Sequence, residues 1–184
     1  MNQLCLGGMI IVEKGKGYIH IYTGNGKGKT TAAFGLALRA AMTGKKVYIG
    51  QFVKGMAYSE TKCTDFIPGI EIEQFGTTCY LDRNPDDEDV QRAKNGLEKC
   101  RIIMKSGDVD VVILDEITIA VYFKLLTDDE VLDALKVKAE HVEVVLTGRY
   151  ATESLIEAAD LVSDIQEIKH YYTQGVFSRE GIDC

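Results

Sequence analysis

At 184 residues, with 46% hydrophobic and 27% charged side chains, the chain has the composition of one ordinary globular domain and not of a disordered one. Two prolines against eighteen glycines exclude collagen and proline-rich linkers, and no apolar run approaches the roughly 20 residues a membrane span needs. The net charge of −7 is unevenly spread: residues 1–54 carry eight Lys and Arg against the single acid Glu13, and the rest carry thirteen against twenty-seven acids.

That balance makes a general nucleic-acid partner unexpected, because phosphate contacts need dense Lys and Arg. A basic first third suits a small, local anion instead. Five cysteines without a CxxC pair fit a reducing cytoplasm better than a disulfide framework or a zinc ribbon. Residues 1–12 are mildly apolar but have no basic leader, so neither export nor membrane attachment is expected. The whole chain, 1–184, reads as one domain, with 1–16 as a flexible extension.

In chain order, residues 18–22 (YIHIY) are β-branched and aromatic and run straight into a glycine cluster, which predicts a buried strand and a tight loop. The Ala- and Leu-rich stretch 30–42 predicts a helix ending near Gly44, and 46–53 the next strand. A glycine-containing loop follows over 54–69, then a short strand at 70–75 and an irregular stretch at 76–85. Residues 86–105 predict a helix whose opening acids complement its N-terminal dipole. The apolar run 109–114 is a strand that ends on Asp115 and Glu116. Thr127 begins a capping-box helix, 142–146 is a strand, 152–159 a short helix and 161–168 the last strand. Alternating strands and helices, several strands apolar on both faces, predict an α/β fold: a mostly parallel sheet covered by helices on both faces.

The stretch Thr23-Gly24-Asn25-Gly26-Lys27-Gly28-Lys29-Thr30-Thr31 is the most informative. Its glycines let backbone N–H groups turn toward an anion, and the helix that follows adds its positive end. Lys29 can reach phosphate oxygens, and the Thr30 hydroxyl is placed for Mg²⁺. The usual spacing of such loops would put glycine at position 23, where this chain has threonine. At the end of the 109–114 strand, Asp115 and Glu116 reach the sheet edge where ligands gather, so they either serve a metal or cap the next helix. Arg149, after the 142–146 strand, either neutralises phosphate charge or belongs to a surface turn. His170 follows the last strand and can face the same edge.

These segments together (TGNGKGKTTAAFGLALRA, QFVKG, VVILDEI, HVEVVLTGR and EIKHYYTQGVFSREGI) resemble the ATP:corrinoid adenosyltransferase family of the phosphate-loop type, over about residues 17–182. The resemblance implies a single-domain RecA-like fold, commonly a homodimer. It implies transfer of the 5′-deoxyadenosyl group of ATP to the Co(I) centre of a corrinoid, with ATP lying in a reversed sense along the loop. Gly24, Asn25, Gly26, Lys27, Gly28, Lys29, Thr30 and Thr31 would hold the triphosphate, with Lys29 meeting its charge. Thr30 and Glu116, supported by Asp115, would hold Mg²⁺ or Mn²⁺.

A flavoprotein reductase for Co(II) is the implied partner. Better-studied relatives carry an aromatic pair after the third strand; here the nearby aromatics are Tyr80 and Phe75, which together with His170 are the expected corrinoid contacts. Co(I) is itself a strong nucleophile, so the absence of a Ser/His/Asp relay agrees with this chemistry. The alternative is a phosphate-loop kinase or NTPase acting on another substrate.

Overall fold

The computed structural model describes residues 4–6, 9–11, 15–56, 58–76 and 85–183. Two short strands, β1 (Leu4–Leu6) and β2 (Met9–Ile11), pair antiparallel with each other and not with the main sheet. The main sheet holds β3 (Ile19–Thr23), β4 (Val47–Gln51), β5 (Ile70–Gln74), β6 (Val111–Asp115), β7 (Glu143–Thr147) and β8 (Leu161–Asp164). Its order is β5-β4-β6-β7-β3-β8, and every neighbouring pair is parallel.

The central strands read as unbroken apolar runs because both of their faces are covered. Val47, Ile49, Val111, Ile113 and Val145 point to one side, where they meet Ala33, Ala37 and Ala40 of α1 (Lys29–Ala41). Small side chains on that helix let it lie close to the sheet. Val112, Leu114, Val144 and Leu146 point to the other side. There they pack with α2 (Asp87–Ser106), α3 (Ile117–Tyr122), α4 (Asp128–Lys136) and α5 (Glu153–Ala158). Each fully buried aliphatic side chain contributes about 1.5–3 kcal/mol, so the paired layers fix the strand register firmly. This is the single-domain α/β arrangement of RecA-like phosphate-loop proteins.

Expected and observed elements agree in type, with several differences. β1 and β2 pair within the stretch read as a flexible extension, and a 3₁₀ stretch, Tyr171–Gln174, follows the last strand. A 3₁₀ stretch, Ser59–Asp65, forms inside the predicted loop, and α3 follows β6 where no helix was read. The last strand stops at Asp164, four residues before its predicted end. The reason is local: the Ile165 carbonyl leaves the ladder and accepts the N–H of Gly26 at 2.7 Å, bracing the glycine loop. Among the described residues, no helix is long and apolar enough to cross a membrane.

Candidate functional site

All six main strands point their carboxyl ends at one edge, and a cavity of about 870 Å³ lies along it. The glycine loop connects β3 to α1. Gly28 is the N-cap of α1 with φ of 118°, a left-handed geometry that a side chain would strain. No side chain caps this helix, and its first turn holds no acid. Its leading N–H groups therefore have no side-chain acceptor at the cap and can serve an anion, with the helix dipole behind them. Lys29 is buried, and its ammonium donates to the Gly26 carbonyl at 2.7 Å, folded back over the loop. Burial lowers its pKa, opposed by the through-space charge of Glu116.

Asp115, at the end of β6, is fully buried and fully bonded. Its Oδ1 accepts from the hydroxyls of Thr30 at 2.9 Å and Thr147 at 2.7 Å. Its Oδ2 accepts from the Gln51 amide at 3.0 Å and the Lys54 ammonium at 2.8 Å. Burial pushes the carboxyl up, but Lys54 foremost and these hydrogen bonds outweigh it and hold the pKa below the ordinary value. Glu116, next along, behaves in the opposite way. Burial first and the Asp115 charge second raise its pKa. Gly148 makes room for it, since a Cβ there would lie 2.3 Å from the Thr118 hydroxyl and 3.2 Å from Glu116 Oε2.

Three adjacent strands end in strained backbone. Val53 after β4, Glu116 after β6 and Tyr150 after β7 have φ of 63°, 60° and 61°. For non-glycine residues, above all β-branched Val53, such angles persist only where surrounding structure enforces them, and they gather at functional sites.

The cavity wall brings together most of the residues expected from sequence: Gly26, Lys27, Gly28, Lys29, Thr30 and Thr31, with Glu116, Arg149 and His170. Gly24 and Asn25 lie on the same loop outside that wall. Phe75 also stands apart from it, packed on Phe52 with ring centres 5.3 Å apart and against Gly96. His170 lines the cavity, but its Nδ1 is engaged, accepting the Tyr172 N–H at 3.0 Å. Tyr80 lies outside the described residues.

Several participants were not singled out from sequence. Gln51 and Lys54 come from the QFVKG segment, and Gln51 sits directly across from Asp115 in the β4–β6 ladder, so the strand-end rule that found Asp115 points to them too. Thr147 lies at the end of β7 by the same rule. The tail supplies a further set. Lys27 donates to the Tyr171 hydroxyl at 2.8 Å and the Ile182 carbonyl at 2.7 Å, and it pairs with Asp183, which also holds Arg179. Tyr122 and Tyr150, both half-exposed in the cavity wall, stack with ring centres 4.3 Å apart.

The Thr30 hydroxyl and the carboxylates of Asp115 and Glu116 are hard oxygen donors. Their small number suits a cation that keeps water and phosphate oxygens as its other ligands. Phosphate ligation by loop, helix end and Lys29, with a cation between loop and β6, is what this edge can do chemically.

Comparison with known proteins gives the same direction. The family described as ATP:corrinoid adenosyltransferase BtuR/CobO/CobP matches residues 15–184. The corrinoid adenosyltransferase of Escherichia coli (strain K12) is 35% identical over 168 residues, 91% of this chain and 86% of that protein. The corrinoid adenosyltransferase CobA of Salmonella typhimurium is 33% identical over 93% of this chain and 87% of its own length. A corrinoid adenosyltransferase of a Sinorhizobium species is 35% identical over 91% and 80%. With the family matched across nearly its whole length, the chain belongs to the ATP:corrinoid adenosyltransferases.

Proposed function

We propose that this protein transfers the 5′-deoxyadenosyl group of ATP to the Co(I) centre of a corrinoid and releases inorganic triphosphate. The observation that carries the reading is the open N-terminus of α1, uncapped, opening on Lys29 and preceded by the glycine loop, with Thr30 against Asp115. The loop amides and Lys29 bind the triphosphate. Thr30, Asp115 and Glu116 would hold Mg²⁺, which supplies charge for the leaving phosphates when bound. Arg149, on the same wall, adds positive charge.

The cobalt lone pair attacks C5′ and forms the cobalt–carbon bond as the C5′–O bond breaks, and that oxygen leaves with the triphosphate. The substrate supplies the nucleophile, so the protein has to align C5′, exclude water and stabilise the departing charge. Exposed aromatic surface at Tyr122 and Tyr150 supports a broad planar substrate in the cavity mouth. The same reading includes a flavoprotein that reduces Co(II), a homodimer and a cytoplasmic location, for which the family resemblance is the support.

Phosphorus NMR of a reaction with ATP, Mg²⁺ and a Co(I) corrinoid tests the proposal. Triphosphate in equal amount to a light-sensitive cobalt–carbon product is expected. ADP as the corrinoid-dependent product would overturn it in favour of a kinase or NTPase.

A further inference from the structure

Lys54 has no role in the reading above, yet the fold takes trouble to place it. Its backbone follows Val53, strained at φ of 63°, and its carbonyl is fixed by the Gly76 N–H at 3.0 Å. Its side chain is 14% exposed. The ammonium lies 2.8 Å from Asp115 Oδ2 and 3.4 Å from Thr30 Oγ1, and 5.3 Å from the centre of the Tyr58 ring. Glu116 also acts on it through space. The same oxygens that would ligate a divalent cation are therefore already served by a cation that belongs to the chain.

We propose that Lys54 is a resident stand-in for the divalent cation, closing the site to bare metal and yielding it only to metal that arrives with nucleotide. The inference rests on the metal reading proposed above. Two cations within a few ångströms of one buried carboxylate repel strongly, so the metal has to displace the ammonium. Displacement of Lys54 into the cavity without a new anion would exchange a 2.8 Å contact with Asp115 for a place on the loop wall beside Lys29, offset only in part by Glu60 on the same wall. A triphosphate removes that obstacle, because its oxygens accept the displaced ammonium. Lys54 thereby makes nucleotide and metal bind together. It also keeps Asp115 neutralised between turnovers, when a buried unpaired carboxylate would destabilise the fold.

The test is Mn²⁺ binding to the full chain, read from the EPR signal of the free aqueous ion, with and without ATP. Wild type should leave the signal intact without ATP and, with ATP, deplete it beyond the depletion that the same ATP causes in the absence of protein. Lys54→Met should bind Mn²⁺ without nucleotide, at least about tenfold more tightly than wild type, the scale on which neighbours of a metal ligand move affinity. Adding Asp115→Asn should abolish that gain, which locates the ion. Lys54→Arg, which keeps the charge, should exclude bare Mn²⁺ as wild type does.

If Lys54→Met does not fold, Lys54→Gln carries the same test with a side chain that can still donate to Asp115. A Mn²⁺-dependent rise in melting temperature without nucleotide, in the neutral variants and not in wild type, is the second readout. Equal Mn²⁺ binding by wild type and the neutral variants, with ATP absent, overturns the proposal while leaving the metal reading standing. Failure of wild type to bind Mn²⁺ even with ATP removes the metal reading, and this proposal with it.

Discussion

Two helix beginnings in this molecule are built on opposite principles. At α2, Asp86 accepts from the N–H groups of Glu88 and Asp89, the Asp89 carboxylate returns the bond to the Asp86 N–H, and three acids fill the first turn. Both a reciprocal capping box and a first turn of acids are present. At α1, neither is: the cap is a left-handed glycine, the first turn has no acid, and a lysine comes first. The α2 terminus is finished by its own side chains, whereas the α1 terminus has neither a side-chain cap nor an acid in its first turn. A helix end left without cap or counter-charge, while the helix on the opposite face of the sheet has both, marks a site at the expense of local stability.

The largest effect should come from removing the cation at the open end. Lys29→Ala should lower kcat by on the order of 10²–10³, the loss typical of one electrostatic contact to a developing anion. Steady-state rates with pre-reduced corrinoid measure it, and a change within about twofold would place Lys29 away from the reacting phosphates.

Making α1 resemble α2 is the next test. Thr31→Glu puts an acid in the first turn, on an exposed position. It should raise the stability of the ligand-free protein by about 0.3–1 kcal/mol through the dipole. It should also weaken ATP binding by roughly tenfold or more, since like charges a few ångströms apart repel by about 1–4 kcal/mol near a protein surface. Calorimetry of both quantities checks the opposition of signs; a gain in both would refute it. The converse variant, Asp86→Ala at α2, should lower stability by about 1 kcal/mol, a fall in Tm of roughly 2–4 °C, and leave ATP affinity alone.

The smallest expected effect concerns Glu116, which begins α3 in left-handed geometry and offers no cap bond. Burial, then the Asp115 charge, raise its folded pKa above the unfolded value. Stability linked to this group is complete below the unfolded pKa of about 4.3 and is lost as pH rises through the raised folded value. Glu116→Gln, uncharged throughout, should therefore melt higher than wild type at neutral pH, with the gain gone below about pH 4. The same variant should need more Mg²⁺ for activity. A melting difference that grows toward acid would reverse the sign argued here.

The elements were legible in the sequence wherever a period or a cap signalled them. β6 is apolar on both faces, β3 is β-branched and aromatic, α2 opens on a run of acids and α4 carries its capping box in plain order. α3 was not, because six residues after a left-handed Glu116 give too short a period to recognise. The loop and the two carboxylates were legible because phosphate binding demands glycine, lysine and threonine at close spacing. Lys54, Gln51 and Thr147 reach Asp115 across 61, 64 and 32 positions of chain, so only strand order reveals them. Lys27 shows the other limit. It lies within the legible loop, yet its partners, Tyr171, Ile182 and Asp183, come from a tail without periodicity.

The placement of β3 bears on how the molecule comes into being. This strand is synthesised well before its two ladder neighbours, β7 and β8, which are contributed by residues beyond 140. During synthesis the glycine loop therefore emerges long before anything can hold it, and closing so long a span of chain is a slow, entropically unfavourable step. The capacity to bind ATP should arise late and all at once, when β3 is gripped from both sides. By mass action, nucleotide should then tighten the whole central sheet, which is measurable as joint slowing of amide exchange in β3, β7 and β8. The metabolite that the protein consumes thus also secures the last assembly step of the protein itself.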